Sequence, residues 1–354
     1  MGIITDKRID PAGECIRFLT LHHTYADNEP RTIAHISRDI CRRYKLPEQE
    51  LAELTAPLQA LERELAAVLD PRPELWQEMF YPGADEENQL AWSFYIMDCS
   101  GQLERLPPLE LRRRLIREML SQDVSGLEQV ENLGSLMNLL EPLDCSMKTR
   151  WICMQAWREP MRFYEKYRTL VELTGQVLSA YESTLQPLAD EAVTRAAAES
   201  EQNMDAAREE LGLARDTDSL IVKPMCLDFD GVGACWDDSV PSSAAIQFVG
   251  ILKGRIQELV SAYGNRAELL AEQLKVIADP RRMEVLMALK GAVCCGQDLV
   301  ARLHVTPGTV SHHMSSLVDA GFVSMVKSGS RINYTLQRQK VEFFIDLLRS
   351  SLLE

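Results

Sequence analysis

Apolar residues recur at steps of three and four through most of the first 211 positions, the period of a helix with one buried face. Over residues 47–69 the stripe is Leu51, Leu54, Leu58, Leu61, Leu65 and Val68, with Pro57 placed to kink it, and residues 109–120 and 127–140 repeat the pattern. Residues 162–185 and 187–211 are longer and richer in charge, and are expected to lie against each other as an antiparallel pair before Gly212. From Ser219 the period changes. Short apolar, β-prone runs at 220–222, 225–227, 234–236 and 244–252 are broken by Asp-Gly and Asp-Asp-Ser, which predicts a small antiparallel sheet. Residues 251–263 return to helix. No repeat runs through the chain, so a solenoid is not favoured.

The pattern is densest over residues 278–336. Asp279-Pro280 is a cap followed by proline at the first helical position, and Met283, Leu286, Met287 and Leu289 follow before Gly291. A second short helix is expected over 297–303, and His304-Val305-Thr306 fills a tight turn before Pro307 opens a third. In that third helix Val310, Met314, Leu317 and Val318 form a core stripe. Gly308, Thr309, Ser311, His312, Ser315 and Ser316 lie opposite, small or hydrogen-bonding groups that suit a major-groove reader. Gly321 ends the helix, and residues 323–327 and 331–336 form a hairpin around Ser328-Gly329-Ser330, flanked by Lys327 and Arg331. The order is that of a winged helix-turn-helix.

The fold class expected is therefore mainly α: a large N-terminal helical region with a small antiparallel β insert, then a C-terminal winged helix-turn-helix domain of α+β type. The corresponding boundaries are 1–217, 218–264 and 265–354. The runs IADPRRMEVLMAL, GQDLVARLHVTPGTVSHHMSSLVDAGFV and KSGSRINYTL resemble the ArsR-type winged-helix regulators over about the last quarter of the chain. That resemblance implies a homodimeric transcriptional regulator, usually a repressor, with its recognition helix over 306–320. Larger ArsR-type proteins with a long helical N-terminal extension look similar upstream as well.

Two departures stand out. His304 occupies the turn position where the family usually has glycine, and where metal-sensing members carry C-x-C-D-L this chain has Cys295-Gly296-Gln297-Asp298-Leu299.

Charge supports a split. The chain carries a formal -15, yet from Asn265 onward 11 Lys/Arg face 9 Asp/Glu, leaving 27 against 44 upstream. The acidic part is not expected to bind DNA, so phosphate contacts fall to local cations. The DNA-binding set expected is Thr306, Gly308, Thr309, Ser311, His312, Ser315, Arg281, Lys327 and Arg331, with Arg282 adding local charge. Dimerisation is expected through residues 266–277, with Leu270 and Leu274, and through a C-terminal helix with Val341, Phe344, Ile345, Leu348 and Leu352.

The partners expected are double-stranded DNA with a near-palindromic operator, a second copy of the chain and a small-molecule effector, with no membrane and no cofactor. The first ten residues lack the pattern of a signal peptide, so a cytoplasmic protein is expected. Nine cysteines without framework spacing read as thiols.

Other readings compete. Leu227-Asp228-Phe229-Asp230-Gly231-Val232 resembles the first motif of haloacid-dehalogenase-type phosphatases, but too few residues follow for that domain. The bland alternative is an Asp/Gly-rich hairpin turn. Cys294 and Cys295 offer a metal or thiol sensor, with His304, His312 and His313 nearby. Cys15, His22 and His23 share a helical face, and Cys226 and Cys235 could be cross-strand neighbours. Trp92, Phe94, Tyr95, Trp151, Trp157, Phe163, Tyr164 and Tyr167 either line an apolar pocket or form core. The remaining alternative is a winged helix that serves only as a protein-interaction module.

Overall fold

The computed structural model describes residues 2–23, 31–80, 90–99, 101, 103, 105–120, 125–143, 145–202, 219–235, 244–263, 266–290, 294–303, 306–328 and 331–353. In chain order the elements begin with β1 (Gly2–Thr5), α1 (Pro11–His23), α2 (Ile33–Tyr44), α3 (Glu48–Leu69), α4 (Pro73–Trp76), α5 (Leu90–Cys99), α6 (Pro108–Leu120), α7 (Leu133–Leu140), α8 (Met147–Arg158), α9 (Pro160–Ser179) and α10 (Glu182–Gln202). They continue with β2 (Ser219–Met225), β3 (Val232–Cys235), β4 (Ala245–Gly250), α11 (Lys253–Tyr263), α12 (Arg266–Ile277), α13 (Pro280–Ala288), β5 (Cys294–Cys295), α14 (Gly296–Leu303), α15 (Pro307–Asp319), β6 (Val323–Ser328), β7 (Arg331–Leu336) and α16 (Arg338–Leu353). The mainly helical class with a C-terminal winged helix is borne out.

By their packing the residues form two compact units, 1–33 with 56–254 and 34–55 with 255–354. This differs from the division drawn from sequence in two ways. The strand segment is not a region of its own, because β1 from the start of the chain pairs with β2. Residues 34–55, most of α2 and the first part of α3, group with the C-terminal region.

In the first unit the sheet runs β1-β2-β4-β3. The expected antiparallel insert is corrected here: β2 pairs in parallel with both β1 and β4, and only β3 runs antiparallel, against β4. Alternation then sends Leu220 and Val222 of β2, with Ala245 and Val249 of β4, to one face. There they meet Ala192, Val193, Ala196 and Ala197 of α10, whose small side chains let the helix approach closely. The buried face of α10 is thus taken by the sheet, while α9 packs on α1; the antiparallel α9/α10 pair expected from sequence does not form. Residues 127–140 also divide, into a 3-10 turn at Leu127–Gln129 and α7, which begins where Asn132 accepts a hydrogen bond from Ser135 N.

The opposite face of the sheet carries Met225 and Phe248. Gly13 of α1 sits over both, a β-carbon there falling 3.4 Å from the Met225 methyl and 3.8 Å from the Phe248 ring. Trp92 and Tyr95 of α5 pack on the same ring at 6.0 and 5.9 Å between centroids. Beyond β2 the chain turns at residues 226–230, and Glu14, fully buried, accepts hydrogen bonds from the backbone N–H groups of Cys226 (2.5 Å) and Leu227 (3.0 Å). Burial pushes that carboxyl up to about 7 despite the two N–H donors, which act in the other direction.

Candidate nucleic-acid interface

The second unit holds the winged helix. Asp279 caps α13, its Oδ1 accepting from Arg281 N (2.9 Å) and Arg282 N (3.0 Å). The Arg282 N–H, with that of Arg281, holds the Asp279 carboxyl below its usual range. The Arg282 guanidinium donates to the carbonyls of Val276 (2.6 Å) and Lys275 (3.1 Å) and so closes the end of α12. Arg282 is therefore a capping residue in this unit. Arg281 is exposed and pairs with Glu284 at 2.8 Å one turn along.

Thr306 caps α15. Its hydroxyl oxygen accepts from Thr309 N at 3.2 Å and lies 2.8 Å from the Thr309 hydroxyl, so the two threonines brace the first turn together. Val310, Met314 and Leu317 are buried, as their spacing predicts, each adding about 1.5–3 kcal/mol of apolar burial. His312 and Ser315 are exposed on the other side, with Thr309 half-buried between the two faces. The Ser316 hydroxyl is turned back to the His312 carbonyl at 3.2 Å. Gly308 lies in the first turn and Ser311 in the second of α15. The helix stops at Gly321, whose φ of +79° is open to glycine at little cost.

The wing follows. β6 and β7 pair from Val323↔Leu336 to Ser328↔Arg331, which brings Lys327 and Arg331 to either side of the hairpin tip. β5 joins through Cys294↔Tyr334 and Cys295↔Asn333, giving a sheet ordered β5-β7-β6. Phe322 meets Phe344 of α16 edge-on at 5.6 Å and ties the wing base to the last helix.

The dimerisation set divides in two. Leu270 and Phe344 are buried within the single chain, whereas Leu274 and Ile345 are exposed and Leu348 is intermediate. Leu352 and Leu353 are also exposed, at 73% and 79%. The first pair serves the unit's own core; the others leave an apolar surface on α12 and α16.

Sequence reasoning missed the part of this unit supplied by residues 34–55. Tyr44 meets Phe343 edge-on at 5.8 Å, and the Lys340 ammonium lies 5.7 Å from the Tyr44 ring. Ser37 and Thr55 are both buried, their hydroxyls 3.4 Å apart across α2 and α3. Only the turn chemistry of Lys45 to Pro47 marks the place in the sequence, and Lys45 takes a left-handed φ of 56° there. His304 lies outside the described residues.

The competing chemistries resolve differently. Asp228 sits in the turn after β2 with its carboxylate 2.9 Å from Arg17, and the Asp/Gly-rich segment is a turn closed by Gly231 N to Asp228 O at 3.1 Å. Cys226 is in that turn and Cys235 pairs with Ile246, so the two are not cross-strand neighbours. Burial pushes the Cys15 thiol up to about 12 and the Cys226 thiol well above its usual value, keeping both from the thiolate state.

His22 is bonded to Glu62 at 3.1 Å, while His23 is bonded to Asp70 at 3.0 Å and stacked on Trp76. Cys294 and Cys295 form the two-residue strand β5, paired with Tyr334 and Asn333 of β7. Among the described residues no group of three or more His, Cys, Asp or Glu is arranged to hold a metal ion. Phe94, Tyr164 and Tyr167 pack on one another at 5.5 to 6.1 Å, and Phe163 is fully buried.

The sequence profile described as "Bacterial regulatory protein, arsR family" matches residues 279–325, from the cap of α13 into β6. The arsenical resistance operon repressor of Staphylococcus xylosus is 34% identical over 85 residues, 23% of this chain and 82% of the relative. This chain belongs to the arsR family. The HTH-type transcriptional regulator CmtR of Mycobacterium tuberculosis (strain ATCC 25618 / H37Rv) is 37% identical over 71 residues, 20% of this chain and 60% of the relative. The transcriptional repressor SdpR of Bacillus subtilis (strain 168) is 32% identical over 62 residues, 18% of this chain and 69% of the relative. The arsR-family chain is a DNA-binding transcriptional regulator. All three matches fall within about a quarter of it. No described helix is long and apolar enough to cross a membrane.

Proposed function

We propose that this arsR-family chain is a homodimeric, cytoplasmic repressor whose two α15 helices enter successive major grooves of a near-palindromic operator. An effector acting on the unit formed by residues 1–33 and 56–254 releases it. The observation that carries the reading is the capped α15, with Val310, Met314 and Leu317 buried and His312 and Ser315 exposed. In this reading Thr306, Gly308, Thr309, Ser311, His312 and Ser315 meet base edges or adjacent phosphates. Arg281, Lys327 and Arg331 meet the backbone.

The exposed Leu274, Ile345, Leu352 and Leu353 support a two-fold contact through α12 and α16, which would set the spacing of the two readers. The chain passes between the two units at three points, 33/34, 55/56 and 254/255, which supports mechanical coupling of effector to reader. Release then requires the effector to bind one reader arrangement more tightly than the other. Ser311→Ala combined with His312→Ala removes operator preference while leaving the oligomer and its melting unchanged. Fluorescence anisotropy on operator and scrambled duplexes checks this, and a preference that survives the double substitution contradicts the assignment of α15.

A further inference from the structure

We propose that α2 is a second DNA-contacting surface of this regulator, in which Arg38, Arg42 and Lys45, with His35 beside them, take phosphates flanking the bases read by α15. The proposal rests on the DNA-binding reading of α15. It extends that reading to a helix that the arsR-family match, residues 279–325, does not include.

The stripe follows from helical geometry. Ile36, Ser37, Ile40, Cys41 and Tyr44 are buried along one side of α2, and positions 35, 38 and 42, at steps of three and four, fall on the other, with the exposed Lys45 following in the left-handed turn that ends the helix. Asp39 is the one acidic residue of α2, and its carboxylate lies 3.8 Å from Arg42, with side chains 56% and 77% exposed. Lys45 lies 3.7 Å from Glu272, both about half exposed, and Arg38 Nε donates to the Ala34 carbonyl of its own helix at 3.3 Å. Exposed pairs of this length are worth under about 1 kcal/mol. A run of phosphates, which meets several cations at once and releases its counterions, displaces them.

The placement follows from packing inside one unit. The Arg43 guanidinium lies against Gly321, where a β-carbon would fall 3.1 Å from its central carbon, and Gly321 is the residue that ends α15. Tyr44 is seated on Phe343 of α16, and Lys45 reaches Glu272 of α12. These contacts hold α2 at the C-terminal end of the recognition helix. Charge points the same way. The unit formed by 34–55 and 255–354 has 16 Lys/Arg against 14 Asp/Glu, while the other has 22 against 39. A duplex is therefore drawn to the first and repelled by the second, and α2 supplies a compact group of the attracting charges.

The test is the salt dependence of binding by the full chain, measured by anisotropy on a selected operator and on a random-sequence duplex across a series of KCl concentrations. Arg38→Gln, Arg42→Gln and Lys45→Gln together lower the slope of log affinity against log salt by about two to three per bound chain, at about 0.9 per phosphate contact. They weaken both duplexes alike, so the preference ratio stays as in wild type. Arg38→Lys with Arg42→Lys keeps the wild-type slope, which separates lost charge from lost folding. A wild-type slope in the triple variant overturns the α2 surface alone. A wild-type protein with no salt-dependent affinity for either duplex overturns both the surface and the reading of α15 on which it rests.

Discussion

Single residues decide where the reader begins and ends. Asp279 and Thr306 use their side-chain oxygens to satisfy N–H groups that a helix start leaves bare, and Gly321 takes the left-handed turn that frees the chain for the wing. Each of these was legible in the sequence, because caps and helix-ending glycines act on near neighbours. Glu14 was not. Its donors, Cys226 and Leu227, lie at the other end of the first unit's chain, and no local pattern announces a buried carboxylate.

The position of Glu14 has a pH consequence. A carboxyl raised from 4.5 to about 7 binds its proton more tightly folded than unfolded, so the folded state loses stability as pH rises through that window. The loss amounts to up to about 3 kcal/mol at about 1.4 kcal/mol per pH unit. Glu14→Gln removes that dependence, and denaturant melts at pH 5 and pH 8 check it. An unchanged difference between the two pH values contradicts the buried-acid account.

At the scale of elements, periodicity found α3, α6 and the three helices of the reader to within a residue or two, because their stripes are long and bounded by caps or prolines. It failed where the partner is remote. The strand directions depend on β1, and a parallel β1/β2 pair cannot be read from β2 alone. The buried alanines of α10 fit a neighbouring helix as well as a sheet, so the sequence of α10 alone does not say which of the two it packs on. α2 has an ordinary amphipathic pattern that does not say which unit it joins.

The apolar surface on α12 and α16 carries its own prediction. Leu274→Glu with Ile345→Glu places two charges on that exposed surface, where they cost a monomer little and a buried two-fold contact several kcal/mol. Sedimentation velocity should show the wild type as a dimer and the variant as a folded monomer. A variant that remains dimeric contradicts the proposed interface.

For the whole molecule, the family match accounts for residues 279–325 and leaves the larger, acidic unit to be explained by its connections to the reader. The interleaving of the two units along the chain is what distinguishes this regulator from a winged helix with a trailing extension. A change in the unit of residues 1–33 and 56–254 has three covalent routes to the other, one of them within α3, whose Pro57 stands two residues past the division. The proposed regulation depends on recognition of a specific DNA sequence by the reader. Selection of bound sequences from a random duplex pool by the full-length protein, at two salt concentrations and with a chelator present, tests it most directly. Enrichment of a near-palindrome with half-sites about one helical turn apart, retained in chelator and weakened by salt, is the expected outcome. A pool that returns without enrichment at either salt concentration would contradict it.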